Sequence, residues 1–69
     1  MRKFSGQKLR KCREKAKFSR QKLCEAIGFI IGPQTIVRYE AGNGSPSLDA
    51  AAAIANALGC SLKDLTDES

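Results

Sequence analysis

The sequence predicts an all-α domain of five short helices, and three observations carry that reading. Apolar residues recur at spacings of three and four, serines and a proline stand where helices would begin, and glycines stand where they would end. No strand-like alternation, internal repeat or low-complexity tract interrupts the pattern. Sixty-nine residues make one domain, 1–69, with an ordered core expected over about 5–66, because chains divide into separate cores only at several times this length. The apolar share is 42%, and nine of those residues are Ala, so the core must come from short, closely approaching elements and its stability is expected to be marginal.

Ser5 is a good N-cap for the first helix, in which Leu9, Cys12 and Ala16 share a face. Lys17-Phe18 breaks the period. Ser19 then caps a second run, Arg20 to Ile27, with Leu23, Cys24 and Ile27 on one side and Gly28 where a left-handed C-terminal residue is wanted. Phe29-Ile30-Ile31 is an apolar segment closed by Gly32-Pro33, and Pro33 suits a first helical position because its missing amide would be unpaired there anyway. The third helix therefore starts near Pro33, faces Ile36 and Tyr39 inward, with Glu40 beside them, and stops at Gly42. Asn43-Gly44-Ser45-Pro46 is turn chemistry. Ser47 caps a fourth helix whose Leu48, Ala51, Ala52, Ile54, Ala55 and Leu58 can bury, with Asp49 in the first turn where the helix dipole favours an acid. Gly59 ends it. Cys60 to Leu65 reads as a last short helix with Leu62 and Leu65 inward, and Thr66 to Ser69 reads as a frayed end.

Charge and composition narrow the function. Residues 1–38 hold eleven Lys or Arg against Glu14 and Glu25, while residues 39–69 hold one Lys against five acids. That polarity suits a polyanion on the basic side, although a merely solvated basic helix would look the same. No apolar run approaches the roughly 20 residues of a membrane span and no apolar stretch follows the basic start, so the expected compartment is the cytoplasm. There is no His, the acids are scattered, and Cys12, Cys24 and Cys60 fit neither a disulfide framework nor an ordinary zinc site. No catalytic residue, metal or cofactor is expected, and the thiols read as small apolar fillers; a redox role would need two of them within bonding reach.

Two helices joined by a short glycine-containing connection in a small basic helical chain form the pattern of a helix-turn-helix. Cys24 offers the small side chain needed where the two helices cross, Gly28 the positive backbone angle of the turn, and Ile36 and Tyr39 the anchors of the next helix. The ordered set Leu9-Arg10 with Arg13-Glu14, Phe18 to Cys24 before Gly28, Thr35 to Gly42, Pro46-Ser47-Leu48, and Ile54 to Gly59 before Leu62 and Leu65 resembles the phage repressor and Cro type of helix-turn-helix regulators, the XRE family. The resemblance runs from about Gly6 to Leu65 and implies a compact five-helix, phage-repressor-like DNA-binding domain.

It further implies that Gln34, Thr35 and Arg38 of the third helix enter the major groove, with Val37 adding an apolar contact. Side-chain chemistry agrees: Gln pairs with adenine, Arg with guanine, and the Thr methyl or hydroxyl meets a thymine methyl or a base edge. Ser19, Arg20 and Gln21 at the start of the second helix resemble the family's phosphate clamp, and Lys17, Lys22, Arg10 and Asn43 are weaker phosphate candidates. The plain alternative for each is ordinary helix surface. Arg13 and Glu40 match a structural ion pair of the family. One departure stands out: five residues, Phe29 to Pro33, separate Gly28 from Gln34 where the family has about three, so one or two of Phe29, Ile30 and Ile31 should plug the core, or else part of the patch meets a partner.

The expected function is therefore a sequence-specific regulator of transcription on double-stranded DNA, repressor-like and without an enzymatic step. A homodimer on a near-palindromic operator is expected, its small interface drawn from the Gly42–Pro46 loop and the last helix. The competing class is an adaptor or antitoxin-like module of the same fold, binding protein through Phe29–Ile31 or the face around Leu62.

Overall fold

In the computed structural model, which describes residues 2–68, three helices start on a serine whose hydroxyl accepts an amide three residues on. Ser5, Ser19 and Ser47 receive the N–H of Lys8 (3.3 Å), Lys22 (3.0 Å) and Ala50 (3.2 Å). They open α1 (Gly6–Lys15), α2 (Arg20–Ala26) and α4 (Leu48–Leu58). Between them, α3 (Pro33–Glu40) has Gly32 as its N-cap and Pro33 in its first turn.

All four helices end alike. In each, the N–H of a left-handed residue, Lys17, Gly28, Gly42 or Gly59, bonds back three residues and the N–H after it bonds back five, as in Gly28 to Glu25 (3.2 Å) and Phe29 to Cys24 (2.8 Å). The hinge residue must take a left-handed backbone angle. Gly28, Gly42 and Gly59 do so at φ of 71°, 84° and 71°, but α1 uses Lys17 at 62°, where a side chain is strained by about 1 kcal/mol.

The chain is mostly helical, as expected, but the fifth helix is a single 3₁₀ turn, Leu62–Leu65. Asp64 accepts bonds from the backbone N–H (3.0 Å) and hydroxyl (3.1 Å) of Ser61 and closes that turn. The backbone then extends at Thr66, so the frayed end expected from the sequence is corrected. Thr66–Glu68 forms strand β2, paired antiparallel with β1 (Arg2–Phe4) in the register Phe4 with Thr66, Lys3 with Asp67 and Arg2 with Glu68. Ser5 N–H to Leu65 carbonyl (2.8 Å) brings the two ends together, and Lys8 Nζ reaches Thr66 O and Asp67 Oδ1 at 2.9 Å each. Met1 and Ser69 of the expected span lie outside the described residues.

The core draws on every helix. Leu9, Leu23, Cys24, Ile36, Ile54 and Leu65 are fully buried, one or two from each helical element. Leu48 departs from expectation: it opens α4 on the outer side and is 73% exposed, while Ala50 is buried in its place. Among the described residues no helix is long and apolar enough to cross a membrane.

Candidate nucleic-acid interface

The unit of interest is α2, the turn of residues 27–32 and α3. Cys24 on α2, Ile27 at its C-cap and Ile36 on α3 are buried in the shared core, so α3 is clamped along its inner side. The long turn holds two successive left-handed residues, Gly28 and Phe29, the latter at φ 59°. Ile31 packs on the core, whereas Phe29 (55%) and Ile30 (56%) stay exposed. One of the three apolar residues therefore plugs the core.

A buried charge cluster fixes the far end of α3. Glu40 is 4% exposed and accepts Arg13 Nε at 2.7 Å, with Arg13 Nη2 at 3.5 Å from its other oxygen. Arg13, 9% exposed, also donates Nη1 to the Phe18 carbonyl at 2.7 Å. Arg20 joins them, its Nε and Nη2 lying 2.9 and 2.8 Å from Glu40 Oε1. The logic is electrostatic. Glu40 ends α3 and Arg20 begins α2, each at the helix end its charge disfavours, and pairing them offsets both dipole conflicts. Tyr39 braces the same end against Phe4, ring centroids 6.0 Å apart. Gly6 packs so closely beneath that a Cβ there would collide with the Tyr39 carbonyl oxygen and lie 2.9 Å from that of Glu40.

The outer side of α3 is different. Gln34, Val37 and Arg38 are exposed and Thr35 is half-buried. Among the described residues, no hydrogen bond or ion pair engages the side chains of Gln34, Thr35 or Arg38.

The phosphate candidates are less uniform. Ser19 spends its hydroxyl on the α2 cap, and Gln21 donates to Glu25 at 3.3 Å. Lys22 Nζ sits 5.2 Å above the Phe18 ring, which holds an exposed ammonium beside the start of α2. Arg10 pairs with Glu14 one turn on at 3.2 Å. Asn43 binds through its backbone N–H to the Arg38 carbonyl (2.9 Å), with its side chain in solvent, as is that of Lys17. Arg20 alone is tied into the buried cluster, a link that its place in the sequence did not reveal. The signal for it is the pair of dipole-opposed charges, legible only once α2 and α3 are known to cross. Among the described residues no group of three or more His, Cys, Asp or Glu is placed to hold a metal ion.

Comparison with known proteins agrees with this geometry. A helix-turn-helix family profile matches residues 9–65. Among solved structures, the clp gene regulator ClgR from Corynebacterium glutamicum is similar at a TM-score of 0.77 and 28% identity, over 87% of this chain and 74% of its own. The apo competence regulator ComR from Streptococcus vestibularis is similar at 0.77 and 35%, over 87% of this chain and 20% of its own. ComR from Streptococcus suis gives 0.73 and 31%, over 87% and 19%. This chain thus spans about a fifth of the ComR chains. No curated protein sequence matches it.

Proposed function

Because the chain belongs to the helix-turn-helix family, in its XRE form, we propose that it is a DNA-binding regulator of transcription, repressor-like, acting in the cytoplasm and without an enzymatic step. One observation carries the reading: α3 is sealed on its inner side by Ile36 and the Glu40 cluster, yet presents Gln34, Val37 and Arg38 to solvent without internal partners. In this proposal α3 lies in the major groove and reads base edges through Gln34, Thr35, Val37 and Arg38. The start of α2 meets the phosphate backbone, with Ser19, Arg20 and Gln21 nearest and Lys17, Lys22, Arg10 and Asn43 around them. Arg20 contributes its field there while bonded to Glu40.

The active species is a homodimer on a near-palindromic operator. An apolar groove of about 570 Å³, lined by Phe4, Pro46, Leu48, Ala51 and Leu62, supports this, because it joins the loop after α3 to the last turn and leaves Leu48 in water. A dimer that reads such an operator needs its two α3 helices one DNA turn, about 34 Å, apart.

Selection of bound sites from a random duplex pool at stated salt tests the proposal. A recovered two-fold motif with half-sites one turn apart is expected. Gln34→Ala and Arg38→Ala should each lose about 1–3 kcal/mol of base discrimination, while Lys22→Ala weakens all duplexes alike and flattens the salt dependence. Pool sequences that stay random, with both α3 variants binding as wild type, would refute the reading. The exposure of Phe29 and Ile30 favours one alternative, an adaptor or antitoxin-like module, for which loss of a protein partner on Ile30→Ser would be the signature.

A further inference from the structure

Cys12 and Cys60 stand far apart in the chain and meet in the fold. Cys12 lies on α1 and Cys60 follows the end of α4, and both line one cavity of about 440 Å³ together with Lys15, Leu58 and Asp64. Both are half-buried, in contrast to Cys24, which is sealed in the core. Cys12 Sγ lies 3.7 Å from the Asp64 carbonyl oxygen, and the Cys12 and Cys60 thiols are near enough for each to feel the other's charge. Packing, not spacing, therefore brings two of the three thiols to one cavity.

We propose that Cys12 and Cys60 are a modification site that closes to an intramolecular disulfide by exchange with a low-molecular-weight disulfide. The thiolate of Cys12 attacks one sulfur of the reagent, forming a mixed disulfide and releasing one small thiolate. Cys60, as its thiolate, then attacks the Cys12 sulfur, forms the protein disulfide and releases the second small thiolate. Each protein thiol gives a proton to solvent, and the reagent takes both electrons and ends as two thiols. The sulfurs must close to about 2.0 Å, by rotation of the two side chains within the cavity they share.

Burial, then the neighbouring Cys12 thiol, and more weakly Asp64, push Cys60 up to about 11. Lys15 from α1 and Asp64 from the 3₁₀ turn are the charged groups that line the cavity; Leu58 and Gly59 from the α4 end carry none. Cys60 is therefore protonated at neutral pH, and closure of the mixed disulfide, in which burial still raises Cys60, quickens as pH rises from 7 to 9. The closed form ties α1 to the α4 end across most of the chain length and constrains the unfolded state accordingly.

The test incubates the full chain with oxidised glutathione at pH 8, quenches with alkylating reagent, and reads intact mass, peptide map and melting temperature. The expected product is lighter by two hydrogens, carries no glutathione, yields a Cys12–Cys60 linked peptide and melts on the order of 10 °C higher. Cys24→Ala should behave identically, and Cys60→Ser should stop at a glutathione adduct on Cys12. A wild-type chain that accumulates a stable glutathione adduct without closing, that links through Cys24, or that stays fully reduced would overturn the proposal. None of these outcomes bears on DNA recognition by α3.

Discussion

Glu40→Gln is the sharpest probe of how this small domain is held together. The substitution keeps the shape and one acceptor oxygen but removes the anion that lies between two guanidinium groups, one of them 9% exposed. It also turns an amide N–H₂ toward Arg13 or Arg20. Breaking a buried pair on one side costs about 3–5 kcal/mol, and a domain of this length holds a total of about 3–10 kcal/mol. The variant should lose most of its stability, with a melting temperature lower by roughly 20 °C.

The geometry orders the other two members. Arg13→Met leaves Glu40 bonded to Arg20 but strands the Phe18 carbonyl, an intermediate loss of about 2–3 kcal/mol. Arg20→Ala removes a side chain 39% exposed and leaves the Arg13 bond intact, so solvent screening holds its cost to about 1 kcal/mol or less. Urea unfolding at pH 7, with m-values checked for constancy, measures all three. An Arg20→Ala loss equal to that of Glu40→Gln, or a Glu40→Gln loss under about 1 kcal/mol, would refute the assignment of a buried, Arg13-centred pair.

Three further outcomes follow from the same structure. Lys17→Gly should stabilise by about 1 kcal/mol, since it relieves a side chain at φ 62° that closes α1; a loss of stability in the same urea assay would contradict the left-handed cap. Gly6→Ala should destabilise by roughly 1–3 kcal/mol, because the added carbon meets backbone oxygens of Tyr39 and Glu40 that belong to a packed helix end; an unchanged urea midpoint would rule out that contact. Cys60 titrates higher in the folded chain, about 11, than its ordinary 9.0, so its contribution is full below pH 9 and is lost as pH rises toward 11, where the unfolded state ionises first. The melting-temperature gap between wild type and Cys60→Ala should shift against the wild type across that range, and a gap independent of pH would remove the argument.

Much of this was legible in the chain because local chemistry decides it. A serine hydroxyl caps a helix within its own turn, a glycine takes the left-handed angle with no help from afar, and spacings of three and four select the buried faces of α1 to α4. Those signals place the four α-helices, their starts and three of their four ends. The frayed end and the fifth helix were misread for the opposite reason. Three residues at each end of the chain carry no periodicity of their own, and they become strands only because the Ser5–Leu65 bond brings them into register.

Charge partners lie in the same class. Arg20 looks like a free cation at a helix start until α3 delivers Glu40 to it, and Cys12 and Cys60 look like isolated fillers until α1 and the α4 end close around one cavity. Residue order along the chain determined which helices form and which faces they hide, since those interactions span no more than a few residues. The crossing of the helices determined which side chains meet, because a distance set by packing is recorded in no single segment.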